Sequence, residues 1–216
     1  MIDVLIWDAG GTLFDTYPAV VWACRRALQT FGYDAKPTWL LGLFRQTTVY
    51  ALQVVADRYG LDGRALAAQF SRAYDAVEPE RQPPFPGVKD VCSYVCESGG
   101  ENYIVTHRGR DSLMKLLAAH RMTNLFTDCI TKEDPYPRKP DPASLLALMR
   151  RHVLDPERCM AIGDRPLDIV AGRRAGIITC AFGEEAGDEG ADLVINHFHE
   201  LLHWLRRQTR GEGTVA

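Results

Sequence analysis

The sequence predicts an α/β fold, a doubly wound parallel sheet with an inserted all-helical domain. Three observations predict it. Short, continuously apolar runs, which are typical of strands buried on both faces, occur near the start of the chain and again after residue 100. Helical patterns separate these runs, so strand and helix alternate as in a parallel sheet covered on both faces. Between residues 16 and 83 helical spacing continues without a strand pattern.

The predicted strands are apolar runs that stop at polar or glycine residues. The first is Val4–Trp7, which ends at Asp8 and is followed by Gly10-Gly11. Further strands are predicted at Tyr103–Val105, Cys159–Ile162, Ile177–Ala181 and Leu193–Ile195. Helices are predicted between them at Val88–Cys96, Asp111–His120, Pro142–His152 and Leu167–Ala175.

The insert has apolar residues at spacings of three and four in three stretches, Pro18–Thr30, Trp39–Tyr59 and Ala65–Ala76. The proline-rich segment Gln82–Gly87 then returns to the sheet as a stiff linker. We therefore expect a core domain of residues 1–15 and 84–216 and a helical cap domain of residues 16–83. The polar end of the chain, Gln208–Ala216, is expected to fray.

Composition indicates an ordinary globular chain with small partners. Of 216 residues, 46% are apolar and the net charge is −3, which favours neither nucleic acid nor an anionic membrane as a partner. The six cysteines are scattered and follow no secretory signal, so we expect reduced thiols and a cytoplasmic location. No apolar stretch approaches the roughly 20 residues of a membrane span. The chain is expected to be a monomer or a homodimer.

Polar residues follow three of the predicted strands. Ligands bind doubly wound sheets at the carboxyl ends of their strands, so Asp8, Thr106 and Asp164 are expected to meet at one edge. Asp8 is either a turn residue before two glycines or a nucleophile or metal ligand.

Two further features point to the same edge. If a helix begins at Pro166, Asp164 and Asp168 lie near one pole, as a hard divalent cation requires, although capping alone also explains Asp164. Lys139 lies in Arg138-Lys139-Pro140-Asp141-Pro142, where the prolines restrict its backbone, although most lysines are simply solvated.

In order and spacing, four segments resemble the motifs of the haloacid dehalogenase superfamily. They are Asp8-Ala9-Gly10-Gly11-Thr12-Leu13, Thr106, Lys139 and Gly163-Asp164-Arg165-Pro166-Leu167-Asp168. The insert resembles the type 1 cap of that superfamily, and the likeness extends from Val4 to about Leu205. The segments around Thr106, Lys139 and Asp164 are similar to the phosphoglycolate phosphatase-like branch, whose core is Rossmann-like.

The resemblance implies Mg²⁺-dependent hydrolysis of a small phosphorylated metabolite, with Asp8 forming an aspartyl-phosphate. It implies that the Asp8 carboxylate, the Gly10 carbonyl and Asp164 hold Mg²⁺, with Asp168 bound directly or through water. Thr106 would bind phosphoryl oxygens, and Lys139 would neutralise charge and orient Asp8. The residues expected to bind the substrate or its phosphate are Gly11, Thr12, Thr106, His107, Lys139 and, from the cap, Arg45.

Gly10 departs from the family pattern, because phosphatases of the family carry a second Asp there as the acid and base. We therefore expect slow turnover of alkyl phosphates, and less effect on acyl or aryl phosphates, whose leaving groups need no proton. His107 is a candidate substitute acid, and Asp15 is a second. A low-turnover protein that binds phosphate, Mg²⁺ or a partner is the alternative function.

Two other chemistries of the superfamily also lack the second Asp. Haloacid dehalogenases attack carbon without a metal, which leaves the acidic pair Asp164 and Asp168 without a use. Phosphonate-cleaving members use a cap lysine, and Lys36, the lysine of this insert, lies in a proline-flanked turn where solvation is expected. In the cap, the polar segment Arg45–Thr48 interrupts an apolar helical pattern. Arg45 is either a contact for a substrate carboxylate or part of a solvated helix face.

Overall fold

A computed structural model describes residues 1–183, 186 and 189–209. The predicted tail beyond residue 209 lies outside the described residues. The described chain divides into two compact units, Met1–Phe14 together with the chain from Pro84 onward, and Asp15–Pro83. We refer to them as the core unit and the helical unit.

The core unit contains a parallel sheet. Its strands are β1 Val4–Trp7, β2 Glu101–Val105, β3 Asp128–Ile130, β4 Cys159–Gly163, β5 Ile178–Phe182 and β6 Leu193–Ile195. Each hydrogen-bonded pair is parallel, and the strand order is β3-β2-β1-β4-β5-β6. The structure describes the α-helices α1 Tyr17–Gln29, α2 Pro37–Gln46, α3 Thr48–Tyr59, α4 Gly63–Asp75, α5 Val88–Glu97, α6 Arg110–Ala119, α7 Ala143–His152, α8 Pro166–Arg174 and α9 Phe198–Thr209.

Helices cover both faces of the sheet. Leu5 and Trp7 of β1 point into a layer formed with α5, α6 and α9, whereas Val4 and Ile6 point into a layer formed with α7 and α8. Because both faces of β1 are buried, its sequence is continuously apolar rather than alternating. This is the physical basis of the strand pattern.

The register of the central strands places their carboxyl ends together. Trp7 of β1 pairs with Ile104 of β2 on one side and with Ile162 of β4 on the other. Strand order reverses beside β1, because β2 and β3 lie to one side of it and β4, β5 and β6 lie to the other. A crevice at such a reversal is the usual binding site of a doubly wound sheet. Asp8, the first residue after β1, lies at this point.

The α/β fold class and the five predicted strands are confirmed, with boundaries that differ by at most two residues. Two elements were not predicted, the three-residue strand β3 and the helix α9. A run as short as Asp128-Cys129-Ile130 carries too little pattern to identify a strand, and it becomes one by pairing with Tyr103–Val105 of β2.

The helical unit contains α1 to α4 and no strand among residues 15–83, all of which are described. The helical stretch predicted over Trp39–Tyr59 comprises two helices, because α2 ends at Gln46 and α3 begins at Thr48. Thr47 between them has extended backbone (φ −154°, ψ 156°), and its hydroxyl accepts a hydrogen bond from Tyr50 N at 3.0 Å. This is an N-cap, and it explains the polar interruption in the sequence.

None of the helices formed by the described residues is both long enough and apolar enough to cross a membrane.

Candidate active site

The loop after β1 carries the buried carboxylate of Asp8, which is 2% exposed. Two backbone hydrogen bonds of 2.9 Å close this loop, from Phe14 N to Ala9 O and from Gly11 N to Phe14 O. Gly11 has φ +94°, and a Cβ there would overlap the Asp164 carboxylate. Only glycine fits this position, for reasons of both conformation and space.

The loop between β4 and α8 brings Asp164 and Asp168 to the same place. Thr12 Oγ1 donates to Asp164 Oδ1 at 3.0 Å, which ties this loop to the loop after β1. The buried Asp168 accepts from Arg165 N at 3.2 Å through Oδ2, at the start of α8. A Cβ on Gly163 would overlap the Asp168 side chain. The glycine therefore makes room for the second carboxylate.

The three aspartates form one acidic cluster. One carboxylate oxygen from each of Asp8, Asp164 and Asp168 lies within 4.8 Å of the others. Asp8 Oδ2 is buried and has no hydrogen-bond partner among the described residues. A buried carboxylate oxygen without a donor is costly unless something binds it. Converging carboxylates are the ligands that Mg²⁺ prefers, so this donor set fits a hard divalent cation.

Lys139 is the buried cation that balances these carboxylates. Its Nζ lies 2.7 Å from Asp8 Oδ1 and 2.5 Å from Asp168 Oδ1, and it donates to Val105 O at 3.0 Å. Burial disfavours the charge, but the carboxylates of Asp168 and Asp8 outweigh it and raise the pKa of Lys139. The side chain is therefore a permanent ammonium at neutral pH.

His107 contacts the backbone of Lys139. The ring Nε2 accepts from Lys139 N at 3.0 Å, so the ring proton is on Nδ1. Burial, followed by the charges of Lys139, Arg165 and Arg138, lowers the pKa of His107 to about 3. Both observations argue against His107 as a replacement for the missing acid, because a neutral imidazole whose Nε2 accepts a hydrogen bond does not protonate a leaving group.

Thr106 follows β2 and is buried at the same sheet edge. Its backbone N–H donates to Ile130 O at 3.0 Å, and its hydroxyl accepts from Arg108 N at 3.2 Å. An accepting hydroxyl still has its own proton to donate. This residue can therefore offer an O–H to an anion.

Arg165 was not predicted as a site residue. Its Nη2 lies 3.8 Å from Asp8 Oδ1, its Nε lies 3.8 Å from Asp168 Oδ2, and its side chain is 13% exposed. The available signal was its place between Asp164 and Pro166, at the start of the helix that was expected to present the acidic pair.

The structure brings together Gly10, Gly11, Thr12, His107 and the residues described above in the core unit. Gly10 pairs with Phe14 in the first loop and has no side chain. Three other candidates belong to the helical unit. Arg45 is exposed in the last turn of α2, Lys36 is exposed before α2, and burial raises the pKa of Asp15.

Comparisons with known proteins identify the family of this chain. Residues 5–182 match the family model described as haloacid dehalogenase-like hydrolase. Phosphoglycolate phosphatase 1 of Pseudomonas aeruginosa is 26% identical over 213 residues, which cover 92% of this chain and 78% of that relative. A phosphoglycolate phosphatase of Aliivibrio fischeri is 26% identical over 219 residues, covering 93% of this chain and 95% of that relative.

Solved structures show the same fold. A predicted phosphoglycolate phosphatase from Haemophilus somnus superimposes with a TM-score of 0.84 at 18% identity, covering 94% of this chain and 97% of that one. A hydrolase from Streptococcus pneumoniae has a TM-score of 0.63 at 28% identity, covering 85% of this chain and 94% of that one. Because the family model spans most of the chain, from β1 to β5, and covers Asp8, Thr106, Lys139 and the Asp164–Asp168 pair, the chain belongs to the haloacid dehalogenase-like hydrolases.

Proposed function

We propose that this protein is a Mg²⁺-dependent phosphatase that acts on a small phosphorylated metabolite, with Asp8 as the nucleophile. The observation that carries the proposal is the environment of the Asp8 carboxylate. Lys139 binds Oδ1 at 2.7 Å, whereas Oδ2 is buried with no hydrogen-bond partner among the described residues. One oxygen is thus fixed, and the other remains available to attack phosphorus.

The role proposed for each residue follows from its charge. Asp8 Oδ2 attacks phosphorus in line, the bond to the leaving oxygen breaks, and water then hydrolyses the aspartyl-phosphate. Asp8, Asp164 and Asp168, together with the Gly10 carbonyl, would hold Mg²⁺, which shields the negative charge of the phosphate. Lys139 keeps Asp8 oriented, and Thr106 donates to a phosphoryl oxygen. The backbone N–H groups of the first loop, at Gly11 and Thr12, are further donors.

The substrate proposal comes from the relatives. Two of them are named phosphoglycolate phosphatases and match over most of their length, so we propose a small phosphorylated acid of that class. Residues 16–83 act as the cap, and Arg45 is proposed to contact the substrate carboxylate. A guanidinium binds a carboxylate with two parallel hydrogen bonds, which suits this role.

The glycine at position 10 is expected to limit the rate of the proposed reaction. Position 10 offers no side chain, and His107 is neutral, so neither position supplies an acid for the leaving oxygen. A missing general acid typically costs about 10²–10⁴ in rate. We therefore expect slow turnover of alkyl phosphates and faster turnover of acyl or aryl phosphates, which leave without a proton.

The same residue favours a second candidate, a protein that binds phosphate and Mg²⁺ with little turnover and serves as a sensor or a partner-binding module. A metal-free dehalogenase is disfavoured, because attack on carbon without a metal leaves the clustered carboxylates of Asp164 and Asp168 without a use.

One experiment distinguishes the phosphatase from the low-turnover binding protein. The purified protein is incubated with Mg²⁺ and with phosphoglycolate, an aryl phosphate and an acyl phosphate, and phosphate release is measured. Asp8→Asn should abolish release, whereas Asp75→Asn, an exposed position in α4, should leave it unchanged. Phosphate binding without release in the wild type would favour the second candidate.

Gly10→Asp tests the missing acid in the same assay. It should raise the alkyl phosphate rate by about tenfold or more and change the aryl rate little, because only the alkyl leaving group needs a proton. Equal and high rates for alkyl and aryl phosphates in the wild type would contradict the explanation based on Gly10.

A further inference from the structure

We propose that Arg165 is a substrate-binding residue whose guanidinium contacts the phosphoryl oxygens of the group that Asp8 attacks. This inference rests on the proposed function and adds a second side-chain cation to the phosphate site. It concerns recognition of a phosphate dianion and adds no bond-making step to the reaction.

The first argument is the position of the guanidinium. Nη2 of Arg165 is 3.8 Å from Asp8 Oδ1, and the Arg165 side chain is only 13% exposed. A phosphoryl group that reacts at Asp8 must approach the same carboxylate, so it comes within a few ångströms of this guanidinium. Arginine carries five N–H donors in a planar fork that matches the oxygens of a phosphate.

The second argument is the division of labour between the two cations. Lys139 Nζ lies 2.7 Å from Asp8 Oδ1 and 2.5 Å from Asp168 Oδ1, so it forms a close ion pair with each carboxylate. The distances of 3.8 Å from Arg165 to the same two carboxylates exceed a hydrogen bond. Lys139 therefore makes the closer contacts with these carboxylates, and the charge of Arg165 adds to the field in which an incoming anion binds.

The third argument is the anchoring of Arg165. Its backbone N–H donates to Asp168 Oδ2 at 3.2 Å, and Pro166 follows it at the first position of α8. The backbone is therefore fixed by a residue of the site itself. A preorganised donor loses less freedom when the anion binds, so it contributes more to affinity.

The fourth argument is charge balance. Three carboxylates, Asp8, Asp164 and Asp168, cluster at this site, and the side-chain cations Lys139 and Arg165 lie 2.7 Å and 3.8 Å from Asp8 Oδ1. A phosphate dianion needs positive charge beside these carboxylates, and Arg165 would supply part of it together with Lys139 and Mg²⁺. A hydrogen bond to a charged group has a net value that corresponds to about 10- to 100-fold in affinity.

The test uses Arg165→Gln, which removes the charge, and Arg165→Lys, which keeps the charge and removes the fork. Inorganic phosphate is the probe, measured as an inhibitor of turnover and by calorimetry with Mg²⁺ present. Arg165→Gln should raise both KM and the inhibition constant of phosphate by about 10- to 100-fold, and Arg165→Lys should raise both by less. Arg150→Gln, an exposed residue of α7, is the matched control and should leave both unchanged.

The outcomes separate this inference from the proposed function. If the wild type binds phosphate and Arg165→Gln binds it equally well, the role of Arg165 is disproved while the phosphatase proposal stands. If the wild type neither binds nor releases phosphate, the proposed function fails, and this inference fails with it. If Arg165→Gln does not fold, Arg165→Lys decides the question, because unchanged KM and phosphate affinity in that variant would overturn the proposal.

Discussion

Lys139 reaches Asp8 because residues at the end of β2 hold it at two points. Val105 O accepts from its ammonium at 3.0 Å, and His107 Nε2 accepts from its backbone N–H at 3.0 Å. The loop that carries Lys139 lies between β3 and α7, so its position depends on contacts with another part of the chain. His107 thus acts through Lys139 as a positioning residue rather than as an acid.

Substitution of His107 should separate these two roles. Glutamine places an amide oxygen near the position of Nε2 and keeps the acceptor, whereas alanine removes it. We expect His107→Ala to lower kcat by about two- to tenfold, the net value of one hydrogen bond, with a smaller change in KM. His107→Gln should retain most of kcat. An equal loss in both variants would show that the ring acts in some way other than as an acceptor.

Helix α7 of the core unit ends in a strained backbone conformation. Val153 follows it in the left-handed conformation, with φ 53° and ψ 44°, and is 91% exposed. The next residue, Leu154, donates its N–H back to Met149 O at 2.9 Å and closes the helix end. Glycine usually occupies this position, because a β-branched side chain is crowded there.

Val153→Gly should therefore stabilise the protein. Relief of the left-handed strain is worth about 1–2 kcal/mol, and the added flexibility of the unfolded chain offsets about 0.5–1 kcal/mol of it. The expected gain of about 0.5–1 kcal/mol can be measured from urea unfolding midpoints. The matched control Val49→Gly, at an exposed position in the first turn of α3, should destabilise by about 0.3–0.5 kcal/mol. A loss of stability in Val153→Gly would contradict this explanation.

At the scale of the whole molecule, the site holds several buried charges whose balance depends on pH. His107 is surrounded by the cations Lys139, Arg165 and Arg138 and by the carboxylate of Asp168, and its pKa in the folded state is about 3. In the unfolded chain a histidine titrates near its ordinary value of about 6.5. Below that pH the histidine is protonated in the unfolded state but stays neutral in the folded state, so the free energy of unfolding decreases.

The stability of the wild type should therefore be fully present above about pH 6.5 and should fall as the pH is lowered from there toward about 3. His107→Gln has no titrating group at this position, so its stability should fall less between pH 7 and pH 5. Urea unfolding of both proteins at pH 7, 6 and 5 measures the difference. Parallel pH profiles would contradict the pKa assigned to His107.

Much of the architecture follows from local sequence pattern. The runs Val4–Trp7 and Cys159–Ile162 identify central strands because burial on both faces excludes polar residues. Asp8 and Asp164 were predicted to meet because parallel strands share one carboxyl edge, and the structure places their carboxylates in one cluster with Asp168. In the sequence, Thr47 is visible only as part of a polar interruption. Its role as the N-cap of α3 becomes evident only when the ends of the helices are known.

The alternation of strands and helices, and the residues that follow each strand, are predictable from sequence, because burial and turn chemistry act on neighbouring residues. Two other features follow from the folded arrangement: Asp128–Ile130 forms a strand, and His107 accepts a hydrogen bond from the backbone of Lys139. The folded arrangement also places Arg165 beside Asp8. Each of these facts is a contact between residues distant in the chain, and such contacts depend on how the packed elements meet rather than on any local pattern.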